Sequence, residues 1–133
     1  MDLPPQIREA MIAHARFCAP EEACGFLATD TEGRLRFAYC LTNVEASPTR
    51  FTVEPTEHFR ALQHAESRGW ELGGVFHSHP VGPAFPSKTD IESALEPDWL
   101  YVIVGLGRPE GGPEVRAFRI SHGRVEEVSL TVA

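Results

Sequence analysis

Residues 72–90 read Leu72-Gly73-Gly74-Val75-Phe76-His77-Ser78-His79-Pro80-Val81-Gly82-Pro83-Ala84-Phe85-Pro86-Ser87-Lys88-Thr89-Asp90. Leu72 to His79 has the composition of a central strand, and Pro80, which has no backbone N–H to give a ladder, stops it. Val81 to Pro86 carries one glycine and two prolines and has to be an irregular loop. Ser87 then opens a short helix to about Leu95, with the Ser-x-x-Asp pattern of a helix cap. Residues i and i+2 of a strand share a face, so His77 and His79 can turn two imidazoles toward one point. The loop is short enough to bring Asp90 back beside them.

Outward from this segment the elements alternate. Pro5 to Phe17 places Ile7, Met11, Ile12 and Ala15 at helical spacing, and Pro20 ends that helix. Ala23 to Ala28 reads as a buried strand, Thr29 to Gly33 as a turn, and Arg34 to Leu41 as its alternating hairpin partner. Asn43 to Arg50 is a loop, followed by a short extended Phe51-Thr52-Val53. Pro55 opens a second helix to about Arg68, with Phe59, Leu62 and Ala65 assigned to its inner face and Gly69 as its stop. The Gly73-Gly74 pair suits close strand packing. Leu100 to Gly105 is the most strand-like run, and Val115–Ile120 with Arg124–Val132 form a closing hairpin around Ser121-His122-Gly123. This order gives an α/β or α+β fold with a central sheet.

The chain has 133 residues, the size of one domain, so 1–133 is read as a single unit. Apolar residues are 42% and charged residues 23%, which excludes a disordered or collagen-like chain. A net charge of −7 argues against nucleic acid as the main partner, because phosphate binding needs a basic footprint. No apolar run is long enough to cross a membrane, and the first residues lack the pattern of a secretory signal. Cys18, Cys24 and Cys40 are odd in number and form no Cys-x-x-Cys pair, so they are read as small buried hydrophobes in a reducing cytoplasm.

Two histidines and one carboxylate make three ligands of a tetrahedral Zn²⁺ and leave the fourth position to water, the arrangement of a catalytic zinc. From the 6 histidines of this chain and its serine and aspartate content, the joint spacing of His77, His79, Ser87 and Asp90 would arise by chance in roughly 4 of 10,000 such chains. A hydrolytic site also needs a base near that water. Glu21 and Glu22, at the entry to the apolar strand Ala23–Ala28, are the candidates. Elsewhere the spacing carries less. His58 and His64 fall on different faces of one helix and make no metal pair. His14 and His122 are assigned to the surface, and Trp70 and Trp99 to packing. Phe85 suits groove lining and packing equally.

Pro20-Glu21-Glu22-Ala23-Cys24-Gly25, His77-Ser78-His79-Pro80 and Ser87-Lys88-Thr89-Asp90 together resemble the JAMM (MPN-plus) metalloprotease domain of the short stand-alone prokaryotic type. No motif position departs from that pattern, and the resemblance covers almost the whole chain. It implies a cytidine-deaminase-like fold, a mostly antiparallel curved sheet flanked by helices. It implies that His77, His79 and Asp90 bind Zn²⁺. It implies that Glu22 is the general acid/base and that Ser87 donates to the developing oxyanion. Glu21 is one residue off the motif and is left to solvent, and Ser78 points away from the ligands. The implied reaction is hydrolysis of an amide bond after the C-terminal Gly-Gly of a ubiquitin-like or sulfur-carrier protein. Alternatives are a cell-wall or phage-tail peptidase of the same superfamily, or a non-catalytic zinc-binding scaffold.

Overall fold

The computed structural model describes residues 1–108 and 110–132. Its elements run β1 (Asp2–Leu3), α1 (Pro5–Cys18), β2 (Cys24–Thr29), β3 (Leu35–Leu41), α2 (Pro55–Ser67), β4 (Glu71–His79), α3 (Lys88–Ser93), β5 (Leu100–Gly105), β6 (Glu114–Ser121), β7 (Arg124–Val128) and β8 (Thr131–Val132). Six strands form one sheet in the order β3-β2-β4-β5-β6-β7. Every neighbouring pair is antiparallel except β4–β5, which is parallel. A parallel pair needs a crossover, so the chain leaves the sheet at the end of β4 and climbs over that edge before β5 begins. The 80–99 crossover, with α3 inside it, is what roofs the carboxyl end of β4.

The two faces of the sheet are covered by different helices. α1 lays Ile7, Met11, Ile12 and Ala15 on one face, against Leu27, Phe76, Val102 and Val104. α2 lies on the other, where Ala61 and Ala65 pack with Phe26, Tyr39, Leu72 and Val75. Central β2 is therefore buried along its whole length, as a continuous apolar run demands. Gly74 lets β4 and β5 approach, for a Cβ there would sit 2.9 Å from the Leu100 carbonyl oxygen. The β6–β7 hairpin turns on His122 and Gly123, both at positive φ (52° and 77°), as a two-residue turn of that hand requires.

Four expectations need correction. The inner face of α2 is Ala61 and Ala65, four residues apart, while Phe59 is 58% exposed and Leu62 also faces out. Small side chains let that helix lie close to the sheet, and no room remains for the larger ones. α3 stops at Ser93 with Ala94 as its cap, leaving Leu95 83% exposed. Arg124–Val132 is not one strand: β7 ends at Val128, and Thr131–Val132 turns away to pair in parallel with Asp2–Leu3. The two-residue β1 is too short for any periodicity to announce it. Finally, only Cys24 is a buried hydrophobe; Cys18 is half-buried and Cys40 exposed, on the edge strand.

Gly25, on β2, is the tightest point of the sheet. A Cβ built there would run into the Tyr39 carbonyl oxygen and the Phe76 ring. Gly25→Ala is expected to lower stability by about 1–3 kcal/mol, the usual cost of overpacking. A urea denaturation midpoint unchanged from the wild type would contradict this packing.

Candidate metal centre

β4 delivers its last residues fully into the interior. His77 and His79, two residues apart on one face, are 5% and 8% exposed. Ser78 between them is buried on the opposite side, as expected of strand alternation. His77 Nε2 and His79 Nε2 lie 3.1 Å apart, and Asp90 Oδ2 lies 3.1 and 3.0 Å from them. The three atoms thus form a nearly equilateral triangle. A tetrahedral ion with bonds of about 2.0 Å has ligand–ligand edges of about 3.3 Å, so this donor set fits a divalent cation of that size.

The ring of His79 is oriented from behind. Its Nδ1 lies 2.8 Å from the Pro83 carbonyl oxygen, which can only accept, so Nδ1 carries the proton and Nε2 of the neutral ring keeps its lone pair for a ligand. Burial alone would lower the His79 pKa, but the Asp90 carboxylate and the Pro83 carbonyl outweigh it and raise it. Phe51 stacks on His77, with ring centroids 4.7 Å apart and planes at 23°. Asp90 is placed by the cap of α3: its backbone N–H donates to Ser87 Oγ at 3.1 Å, and the Ser87 N–H donates to Asp90 Oδ2 at 2.9 Å. Burial pushes its pKa up, but hydrogen bonds from His77 and His79, the charge of His77 and the Ser87 N–H hold it well below the carboxylate range.

Glu22 completes the cluster from two residues before β2. It is 4% exposed, and one oxygen from it and the ligand nitrogens of His77 and His79 all lie within 4.8 Å of one another. Its Oε1 is buried with no hydrogen-bond partner among the described residues. Burial, with the Asp90 charge adding to it and His79 opposing, pushes its pKa up to about 7. An orphaned buried carboxylate oxygen beside three converging donors is costly unless something polar or cationic occupies the space between them. Glu21 is half-buried rather than solvated, and contributes no atom to the cluster.

The five residues singled out by the sequence, Glu22, His77, His79, Ser87 and Asp90, are thus brought together. Phe51 and the Pro83 carbonyl were not foreseen. Neither leaves a local signal: one acts by stacking across the fold, and the other is backbone. His14 is not a plain surface residue, since its Nε2 lies 2.9 Å from the Leu41 carbonyl oxygen. His58 packs on Phe26 and His64 bonds the Tyr39 hydroxyl at 2.7 Å, so neither serves a metal pair. Trp70 and Trp99 pack against the α2-side core, and His122 is exposed at the hairpin turn. Phe85, 45% exposed, meets Phe118 edge-on at 5.4 Å and so packs while keeping one side open. A groove of about 630 Å³ between α1, edge strand β3 and α2 touches Glu22 but none of His77, His79 or Asp90.

Residues 4–121 match the profile of the prokaryotic homologs of the JAB domain. The match spans most of the chain, and the chain belongs to this family. It is 37% identical over 124 residues to the CysO-cysteine peptidase of Mycobacterium tuberculosis, covering 92% of this chain and 84% of that protein. It is 37% identical over 133 residues to the probable TtuB-protein conjugate cleaving protease of Thermus thermophilus, covering 98% and 81%. Among solved structures it is similar to protein DSY2949 of Desulfitobacterium hafniense, with a TM-score of 0.88, 36% identity, and coverage of 99% and 92%.

Ser87→Ala removes the acceptor of the α3 cap and is expected to cost about 1 kcal/mol of stability. Thermal melting of the variant checks it, and an unchanged melting temperature would mean that Asp90 is held by other contacts.

Proposed function

We propose that this chain is a zinc-dependent peptidase of the cytoplasm that cleaves the amide bond after the C-terminal Gly-Gly of a ubiquitin-like or sulfur-carrier protein. The observation that carries the reading is Glu22, a buried carboxylate with an unpartnered oxygen beside His77 and His79, on which Asp90 also converges. The names of the relatives, a CysO-cysteine peptidase and a TtuB-conjugate protease, support the substrate class.

His77 Nε2, His79 Nε2 and Asp90 Oδ2 would hold the ion. When bound, Zn²⁺ supplies Lewis acidity to a carbonyl and lowers the pKa of water. The chain supplies the proton traffic. Hydrogen bonds from His77, His79 and the Ser87 N–H hold Asp90 down, while burial, with the Asp90 charge adding to it, pushes Glu22 up to about 7; this division supports Asp90 as the ligand and Glu22 as the acid/base. Glu22 takes a proton from the attacking water as the C–O bond forms. It returns that proton to the amine nitrogen as the C–N bond breaks. Ser87 Oγ accepts from Asp90 N in the cap, which leaves its own hydroxyl proton free to donate to the carbonyl oxygen as negative charge builds there. A site whose histidines and base are all under 9% exposed admits a narrow, extended chain, and glycines have no Cβ to obstruct the approach.

Glu22→Gln keeps the shape and loses the basicity. It is expected to lower kcat by at least ~100-fold, the low end of a general-base contribution, while the protein still takes up about one zinc per chain. Near-wild-type turnover in the zinc-loaded variant would assign the base elsewhere. Val-Val in place of Gly-Gly at the tail of a model carrier is expected to abolish cleavage, and equal cleavage of both tails would indicate a broad peptidase.

A further inference from the structure

The Glu22 carboxylate has no side-chain bond to hold Oε1, so its position is set by its backbone and by what that backbone is tied to. On one side the tie is β4: the Ala23 N–H donates to Ser78 Oγ at 2.8 Å, and the Ser78 N–H donates to the Ala23 carbonyl at 3.0 Å. On the other side it is the 43–53 segment, tied to Glu22 through the Asn43 side chain and the Ser47 carbonyl. Asn43 Nδ2 donates to the Glu22 carbonyl at 3.1 Å and to the Arg50 carbonyl at 2.9 Å. Its Oδ1 accepts from the Glu45 N–H and the Thr52 N–H, both at 3.0 Å. Both donors and both lone pairs of one amide are therefore used. The Glu22 N–H donates to the Ser47 carbonyl at 2.8 Å, within the same segment. That segment also carries Phe51, which stacks on His77.

We infer that Asn43 is a positioning residue for the reaction. Its amide ties the 43–53 segment to the Glu22 backbone, and so fixes the base. Asn43 itself touches no reacting atom; the inference rests on the reading of Glu22 as the base. A free surface loop gains nothing from filling all four amide valences, whereas a strut does. Only an amide offers two donors and two acceptors in one plane at this reach, so neither Asp nor Ser reproduces it.

The test is a double-mutant cycle on zinc-loaded protein, with metal content and melting temperature measured alongside. Asn43→Ala is expected to lower kcat on the order of 10- to 100-fold, as small misplacements of catalytic groups do, with KM changed less than about threefold. Zinc stoichiometry stays at the wild-type value. In the Glu22→Gln background the same substitution is expected to change kcat by less than about twofold, because the group it positions is already disabled. Asn43→Asp keeps the two acceptor bonds of the loop and loses the donors to Glu22 and Arg50. It sets a carboxylate oxygen against those two carbonyls, so it is expected to melt below wild type and to share the kcat loss; Asn43→Ser, small and uncharged, decides the matter if Asn43→Ala does not fold. Equal proportional losses in the wild-type and Glu22→Gln backgrounds, or a lowered melting temperature with unchanged kcat, would overturn the positioning role while leaving the base in place. A Glu22→Gln protein with wild-type kcat would overturn both.

Discussion

The register between β2 and β4 is the constraint on which the site depends. Cys24 stands opposite His77, so in this antiparallel pair Glu22, two residues earlier, falls opposite the position of His79 and on the same face. A slip of one residue would turn Glu22 to the α1 side and leave the histidines without it. Burial on both faces is what forbids the slip: β2 is closed by α1 below and α2 above, and the Ser78 side chain bonds across the end of the ladder to Ala23. The register that packs the core thereby also brings Glu22 beside His77 and His79.

The parallel β4–β5 pair is the second constraint. It obliges the chain to cross over after His79, and the crossover supplies both the Pro83 carbonyl behind His79 and the cap that presents Asp90. Removing water from two carboxylates and two imidazoles is unfavourable in itself. Within this cluster the Asp90 carboxyl is held well below the usual carboxylate range, while burial pushes Glu22 up to about 7.

What the sequence made legible is mostly local. His77, His79 and Asp90 could be grouped because strand alternation, a proline stop and a cap pattern all act within about 14 residues, and α1, β4 and β5 announce themselves by period and composition. Glu22 was only one of two acids until the family resemblance chose between them, because its partner lies more than fifty residues away and only the register brings them together. Asn43, Phe51 and the Pro83 carbonyl act through bonds and stacking across the fold, for which composition holds no signal. The inner face of α2 departs from the sequence pattern for a related reason. Apolarity favoured Phe59 and Leu62, but the clearance over the sheet admits only Ala61 and Ala65.

The central claim is that His77, His79 and Asp90 together bind one divalent cation beside Glu22. X-ray absorption spectroscopy at the zinc edge, on protein loaded with one equivalent, tests it most directly. The expected spectrum shows light ligands only, at about 2.0–2.1 Å, with the multiple-scattering signature of two imidazoles. A sulfur shell near 2.3 Å, drawn from Cys18, Cys24 or Cys40, or the absence of imidazole scattering, would place the ion elsewhere and contradict the account.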